Sequence, residues 1–234
     1  MPNETWLQLA LQHRAGSLTL DVAFALTAPW TVLFGASGSG KTTILRSIQG
    51  LTRPAAGHIV LGTQTVLHTE QHLFVPAHRR NVRSAAQAAR LFPGKTIREN
   101  IAFGSTPDIA SQVLELLQLE TLAHTMPASL SGGEQQRASV ARAVAAAAAI
   151  QSLLLLDEPF AGLDLALRDV LAPNLQRWLQ HRNIPVLSVT HDVGEVFLLG
   201  AEVIRLQNGR IVQQGPASQT LAAERTRLLV QLQG

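Results

Sequence analysis

Cysteine and tyrosine are both absent from this chain of 234 residues. Without a thiol there is no disulfide and no thiolate metal site, a usage that fits a reducing compartment. Lysine is nearly absent too, Lys41 and Lys95 standing against 17 arginines. The sequence pI near 10.5 therefore does not announce a polyanion partner. With so few groups titrating between roughly pH 8 and 12, a formal net charge of only +3 persists far up the scale. No nucleic-acid partner is expected. The cluster His78-Arg79-Arg80 with Arg83 reads as a solvated face rather than a binding patch. No uninterrupted apolar run approaches the ~20 residues that cross a bilayer, and residues 1–20 lack the charged start and long apolar core of a leader. A soluble, cytosolic protein is expected. What the chain does have is apolar bulk, 46% of its residues, ample for a buried core.

The first segments alternate apolar and polar residues at 6–11 and 17–22, the pattern of two half-buried strands expected to pair antiparallel. Thr31-Val32-Leu33-Phe34 is a short apolar run ending in a glycine-rich loop, and a helix of about two turns is expected over 43–50. A strand at 58–61 and a polar, histidine-rich stretch lead to Pro76. Between 84 and 150 the character turns helical: Val113, Leu114, Leu116 and Leu117 have helical spacing within 109–119, and 134–149 is alanine-rich. Leu153-Leu154-Leu155-Leu156 reads as a parallel strand buried on both faces, 185–189 as another, and 165–181 as the helix joining them. Strand, crossover helix and strand point to an α/β core. Asn208-Gly209 between 203–206 and 210–212 signals a hairpin, followed by a polar helix.

Gly35-Ala36-Ser37-Gly38-Ser39-Gly40-Lys41-Thr42 satisfies the P-loop pattern and sits between a predicted strand and helix. Such a loop curls its N–H groups toward phosphate oxygens at the positive end of the helix dipole. Lys41 is suited to the β- and γ-phosphates and Thr42 to Mg²⁺, with Thr43 beside them as a further nucleotide contact. Leu153 to Leu156 run into Asp157-Glu158. Alone, a strand ending in two acids is usually a solvated strand end. Beside a P-loop, Asp157 becomes a Mg²⁺ ligand at the C-terminal end of a parallel strand, and Glu158 the candidate base for the attacking water.

Leu130-Ser131-Gly132-Gly133-Glu134-Gln135-Gln136-Arg137 resembles the signature of ABC-type ATPases, and the motifs occur in that family's order over nearly the whole chain. An ordinary capped helix accounts for Ser131 and Glu134 as a capping box, but not for Gly132-Gly133. The resemblance implies one nucleotide-binding domain over residues 1–234: a P-loop NTPase core with a mixed sheet and an N-terminal antiparallel β-portion (1–83 and 151–234), and an inserted α-helical subdomain (84–150). It implies that Ser131, Gly132 and Gly133 hold the γ-phosphate of the nucleotide bound to a second protomer, a role that suits a helix N-terminus. It further implies that Gln87 contacts Mg²⁺ or water and reports to a membrane partner. Asp164, in Ala161-Gly162-Leu163-Asp164, matches the loop that crosses the dimer interface, and His191, 33 residues after Glu158, matches the switch histidine on the γ-phosphate.

The chain departs from the family at two places. Ala15 stands where an aromatic ring usually stacks on adenine, with His13 and Arg14 beside it; an Arg plane can stack on a purine. Binding is expected to rest mainly on the phosphates, with GTP competing comparably. The segment before Gln87, Asn81 to Ala86, is a hydrophobic strand in the family; here its β-propensity is poor, it reads more easily as helix, and a weak or displaced strand is expected. Ala89-Arg90-Leu91-Phe92-Pro93 and Thr96-Ile97-Arg98-Glu99-Asn100-Ile101 resemble importer ATPases, most closely those of bacterial molybdate transporters, with Gly94 where they commonly have His. Leu91 and Phe92 either meet a permease helix or form a buried turn. With 25 residues after Gly209 there is no room for the further C-terminal oxyanion-binding domain many such subunits carry, so the sequence is expected to be either truncated or that of a short relative.

Two readings follow. In the first the chain is the ATP-hydrolysing subunit of an importer, a head-to-tail homodimer on the inner face of the membrane, held there by permease subunits and served by an extracytoplasmic solute-binding protein. In the second it is a soluble ABC-type ATPase acting on nucleic acid or ribosomes, a class usually marked by paired cassettes, coiled-coil insertions or basic arms.

Overall fold

The computed structural model describes residues 5–233, which fall into two compact units, one holding the chain up to Arg80 and again from Val189, the other Asn81–Ser188. The first unit opens with β1 (Leu7–Ala15) and β2 (Leu18–Leu26), antiparallel partners as their alternation requires: Leu7, Leu9 and Leu11 of β1 and Leu20, Val22 and Phe24 of β2 are buried. β3 (Trp30–Phe34) feeds the glycine-rich loop, and α1 (Lys41–Gln49) follows at once. β4 (Ala56–Leu61), β5 (Gln64–His68) and β6 (Leu73–Phe74) extend the antiparallel portion beyond β1. The polar stretch before Pro76 thus carries two strands that its composition concealed, and within it Val66 and Leu67 are buried.

After Val189 the first unit resumes with α6 (Val193–Leu199), β10 (Glu202–Gln207), β11 (Arg210–Pro216), α7 (Ala217–Thr220) and α8 (Ala222–Gln233). β10 and β11 form the expected hairpin with Asn208 and Gly209 at its turn, both at positive φ. β10 lies parallel to β3, and β11 meets β2 in parallel, so the strand order in this unit is β6-β5-β4-β1-β2-β11-β10-β3, a mixed sheet.

The second unit contains β7 (Val82–Ala85), α2 (Ile97–Ala102), α3 (Pro107–Leu116), α4 (Gly132–Ile150), β8 (Leu153–Asp157) and α5 (Leu165–Gln180), and most of β9 (Val186–Thr190), with strand order β9-β8-β7. Leu154, Leu155 and Leu156 are fully buried, each such side chain stabilising the fold by roughly 1.5–3 kcal/mol. α4 buries Ala138, Ala141, Ala145 and Ala147, small side chains that let neighbouring elements approach its backbone.

The short strand expected before Gln87 is present: Val82, Arg83, Ser84 and Ala85 pair in parallel with Leu153 to Leu156, and pairing with β8 overrides weak intrinsic propensity. One expectation needs correction: Arg80 does not belong to a solvated face. His78 and Arg79 are exposed, but Arg80 is 2% exposed. Its Nε donates to the Val75 carbonyl at 2.8 Å, and one terminal nitrogen donates to the Ser47 and Ile48 carbonyls at 2.7 and 2.8 Å; the other donates to Val66 at 3.3 Å. The guanidinium also lies 5.1 Å from the Phe74 ring centroid. Burial brings its pKa down to about 10, which leaves it charged at neutral pH. It therefore closes the C-terminal turn of α1, where carbonyls lack helical partners and positive charge is favoured.

Candidate functional site

In the first unit the loop after β3 is shaped to leave a helix end open. Gly40 caps α1 in the left-handed region at φ 109°, a conformation that strains any other residue, and a β-carbon there would also press on Leu20 Cδ1 at 2.7 Å. α2 to α6 each begin with a side chain accepting a hydrogen bond from the first turn: Thr96, Thr106, Ser131, Asp164 and Asp192. α1 has no such cap and no acid in its first turn. Its N–H groups and dipole are thereby left for an anion. The Lys41 ammonium, almost wholly buried, donates to the Gly35 and Ala36 carbonyls at 2.7 and 2.9 Å, which holds the loop around it. Ala36, Ser37, Gly38 and Thr42 are exposed, Thr43 is half-buried, and the hydroxyl of Ser39 is buried without a hydrogen-bond partner among the described residues.

A cleft of about 400 Å³ opens at this loop, lined by Gly35 to Ser39, Leu18, Gln207 and Asn208 among others. Leu18, not Ala15, belongs to its wall. Arg14 turns to its own strand end, its Nε donating to the Gly16 carbonyl at 3.4 Å. His191, exposed, follows β9 on a backbone fixed from both sides. The Thr190 hydroxyl accepts from the Asp192 N–H at 3.1 Å and donates to the buried Glu195 carboxylate at 3.0 Å, while Asp192 accepts from the Glu195 N–H. Sequence reasoning assigned nothing to Thr190 or Glu195.

In the second unit Asp157 ends β8 and is 9% exposed. Glu158 turns away from the strand at φ 51°, left-handed for a non-glycine residue, a conformation that costs roughly 1–2 kcal/mol. Its carbonyl accepts from the Ala161 N–H at 3.2 Å and from the Gln136 amide at 3.4 Å. Gln87 is exposed in a bend just after β7. Ser131 begins α4 with the anticipated capping box, its hydroxyl and N–H donating to Glu134 at 2.7 and 2.8 Å. Those two bonds hold the Glu134 pKa below the usual carboxylate value, the hydroxyl having the larger effect.

The glycines behind that cap differ from each other. A β-carbon on Gly133 would meet the Gly162 carbonyl at 2.8 Å, whereas one on Gly132 would meet nothing within 4 Å. Asp164 caps α5, accepting from the Leu167 N–H at 2.9 Å. Arg137 has a pKa lowered by burial, countered by the charges of Glu134 and then Asp164. Of the expected permease contacts, Leu91 is half-buried, while Phe92 is 37% exposed, packs edge-on against Phe103 at 4.6 Å and carries the Arg142 guanidinium 4.9 Å from its ring centroid. The segment is therefore neither a buried turn nor fully open.

The family model described as ABC transporter matches residues 22–161, more than half of the chain. The chain belongs to the ABC transporter family. It is 39% identical over 223 residues to the molybdenum import ATP-binding protein ModC of Rhizobium meliloti (strain 1021), a match covering 92% of this chain and 61% of that protein. It is 40% identical over 224 residues to the protein of the same name from Pseudomonas aeruginosa, covering 92% and 61%. The chain thus spans about three fifths of the length of these curated relatives. Among solved structures it resembles cbiO1 of Clostridium perfringens, part of the ABC transporter complex cbiONQ, with TM-score 0.77, 21% identity and coverage of 98% and 95%. It likewise resembles an ATP-binding subunit of an ABC transporter, at TM-score 0.77, 21% identity and coverage of 98% and 100%. The fold is that of ABC ATPase subunits, an α/β arrangement with a mixed sheet. No helix among the described residues is long and apolar enough to cross a membrane.

Proposed function

We propose that this chain hydrolyses ATP as the nucleotide-binding subunit of an importer for molybdate or a related oxyanion, working as a head-to-tail pair of copies. One observation carries the paired arrangement: α4 begins with Gly132 facing open space. Glycine is a poor helix former, and nothing among the described residues requires it at the first position of α4. A partner's phosphate approaching Ser131, Gly132 and Gly133 supplies the reason. The uncapped N-terminus of α1 receives the chain's own nucleotide, with Gly35, Ala36, Ser37, Gly38, Ser39, Gly40 and Thr43 wrapping the phosphates and Lys41 neutralising the β- and γ-oxygens.

Hard oxygen ligands suit Mg²⁺, and the exposed Thr42 hydroxyl, the Asp157 carboxylate and the Gln87 amide are the groups suited to hold it. When bound, Mg²⁺ neutralises charge on the phosphate oxygens. Glu158 accepts the proton of the attacking water, His191 hydrogen-bonds the γ-phosphate, and Asp164 lies in the loop facing the second copy. The half-exposed Phe92 with Phe103 offers an apolar seat for a permease helix. That partner holds the pair on the cytoplasmic face of the membrane, and an extracytoplasmic binding protein delivers the solute. The names of the relatives support molybdate as cargo.

Glu158→Gln tests the reading. ATP binding and an ATP-dependent dimer, followed by size-exclusion chromatography with light scattering, are retained, while phosphate release falls by at least ~100-fold, the usual worth of a general base. Turnover at the wild-type rate removes Glu158 from that role.

A further inference from the structure

We propose that Gln136 is a positioning residue that sets the conformation of Glu158 and of the segment entering Gln87 from the first turns of α4. The proposal rests on the reading above, in which Glu158 is the base. Gln136 is 5% exposed, and its amide nitrogen donates to the Ala86 carbonyl at 3.3 Å and to the Glu158 carbonyl at 3.4 Å. A primary amide has two hydrogens, and both are spent on acceptors 50 and 22 residues away in the chain. One acceptor belongs to the residue just before Gln87. The other belongs to Glu158 itself.

Each bond is long, so neither is strong alone. Their importance lies in where they act. Glu158 holds a left-handed φ of 51°, a conformation that persists where the surroundings fix it. The Ala161 N–H holds that carbonyl from within the same turn, and Gln136 holds it from another element. Gln136 thus links three segments of the second unit, namely α4 behind its glycine pair, the end of β8, and the exit of β7. Anything that displaces the N-terminus of α4 moves the acceptor of the water's proton with it.

The test compares Gln136→Met, which keeps the volume and loses both donors, with Gln136→Asn, which keeps an amide too short to reach both carbonyls. Each is made in the wild-type and Glu158→Gln backgrounds, with Kd for ATP and steady-state phosphate release measured. In the wild-type background both variants lower kcat about tenfold, as expected for a catalytic group displaced by a fraction of an ångström, and Kd for ATP changes less than about twofold. In the Glu158→Gln background they lower the residual rate by a clearly smaller factor, because the base they position is already gone and only the segment entering Gln87 is left to disturb. A role confined to packing lowers both backgrounds by the same factor, or spares kcat in Gln136→Met; either result overturns the proposal while the effect of Glu158→Gln upholds the reading beneath it. Wild-type turnover by Glu158→Gln alone overturns that reading and the proposal together.

Discussion

Two helices of the second unit begin with the same chemistry. Thr96 and Glu99 at the start of α2 form a reciprocal capping box, and so do Ser131 and Glu134 at the start of α4; the hydroxyl-to-carboxylate distances are 2.8 and 2.7 Å, and the backbone N–H distances 2.7 and 2.8 Å. In both, the carboxylate pKa is depressed by its own cap. What differs is the filling between cap and acid. At α2 it is Ile97-Arg98, and Ile97 is fully buried. At α4 it is Gly132-Gly133, one glycine against a neighbouring carbonyl and the other against nothing. The box starts a helix and carries no function by itself. In the proposed reading, function enters through Gly132, bare at the position where α2 buries Ile97.

The sharpest way to break this comparison is to fill the bare position. The β-carbon of Gly132→Val has nothing within 4 Å outside its own helix among the described residues, so thermal melting of the apo protein moves little, while phosphate release falls on the order of 100-fold because the partner's phosphate is held off. Retained turnover removes the signature role of Gly132. Its counterpart, Ile97→Val, behaves oppositely, costing about 0.5–1.5 kcal/mol of stability with hydrolysis by the folded fraction unchanged. Gly133→Ala comes next. Its β-carbon presses on the Gly162 carbonyl, and the overpacking is expected to cost about 1–3 kcal/mol in urea unfolding; an unshifted midpoint shows that the loop yields freely.

The smallest effect lies in the boxes themselves. Ser131→Ala and Thr96→Ala each lose about 1 kcal/mol of stability, and only the first lowers turnover. Both losses depend on pH with the same sign. Glu134 and Glu99 have folded pKa values below the ordinary 4.5, so their stabilisation is complete above that value and disappears as pH falls through the folded pKa. Urea midpoints of the variants and the wild type therefore converge in acid. A gap that persists at pH 2 assigns the effect to packing instead.

The legible parts of the molecule are those whose cause is local. The turn at Asn208-Gly209, the strand of leucines before Asp157 and the loop between β3 and α1 each have their determinants within a few residues, and each lies where the sequence indicates. The capping box of Ser131 and Glu134 follows from spacing alone; the one at Thr96 and Glu99 has the same spacing and emerges only in the structure. Where the cause is distant, the sequence is silent. β7 reads as a helix former until Leu153 to Leu156 pair with it, and β5 and β6 lie inside a stretch whose histidines suggest a loop. Gln136 is in plain view within the signature octapeptide, yet its acceptors are carbonyls, which leave no mark in composition. The same holds for Arg80, whose partners are four carbonyls and a ring.

Arg80 is also the last residue of the first unit before the chain passes to the second at Asn81. Its side chain grips the final turn of α1 while its backbone leads out along the connection. The first of the chain's two passages between the units is thus fastened to the helix that follows the glycine-rich loop, through main-chain carbonyls that no side-chain substitution in α1 removes.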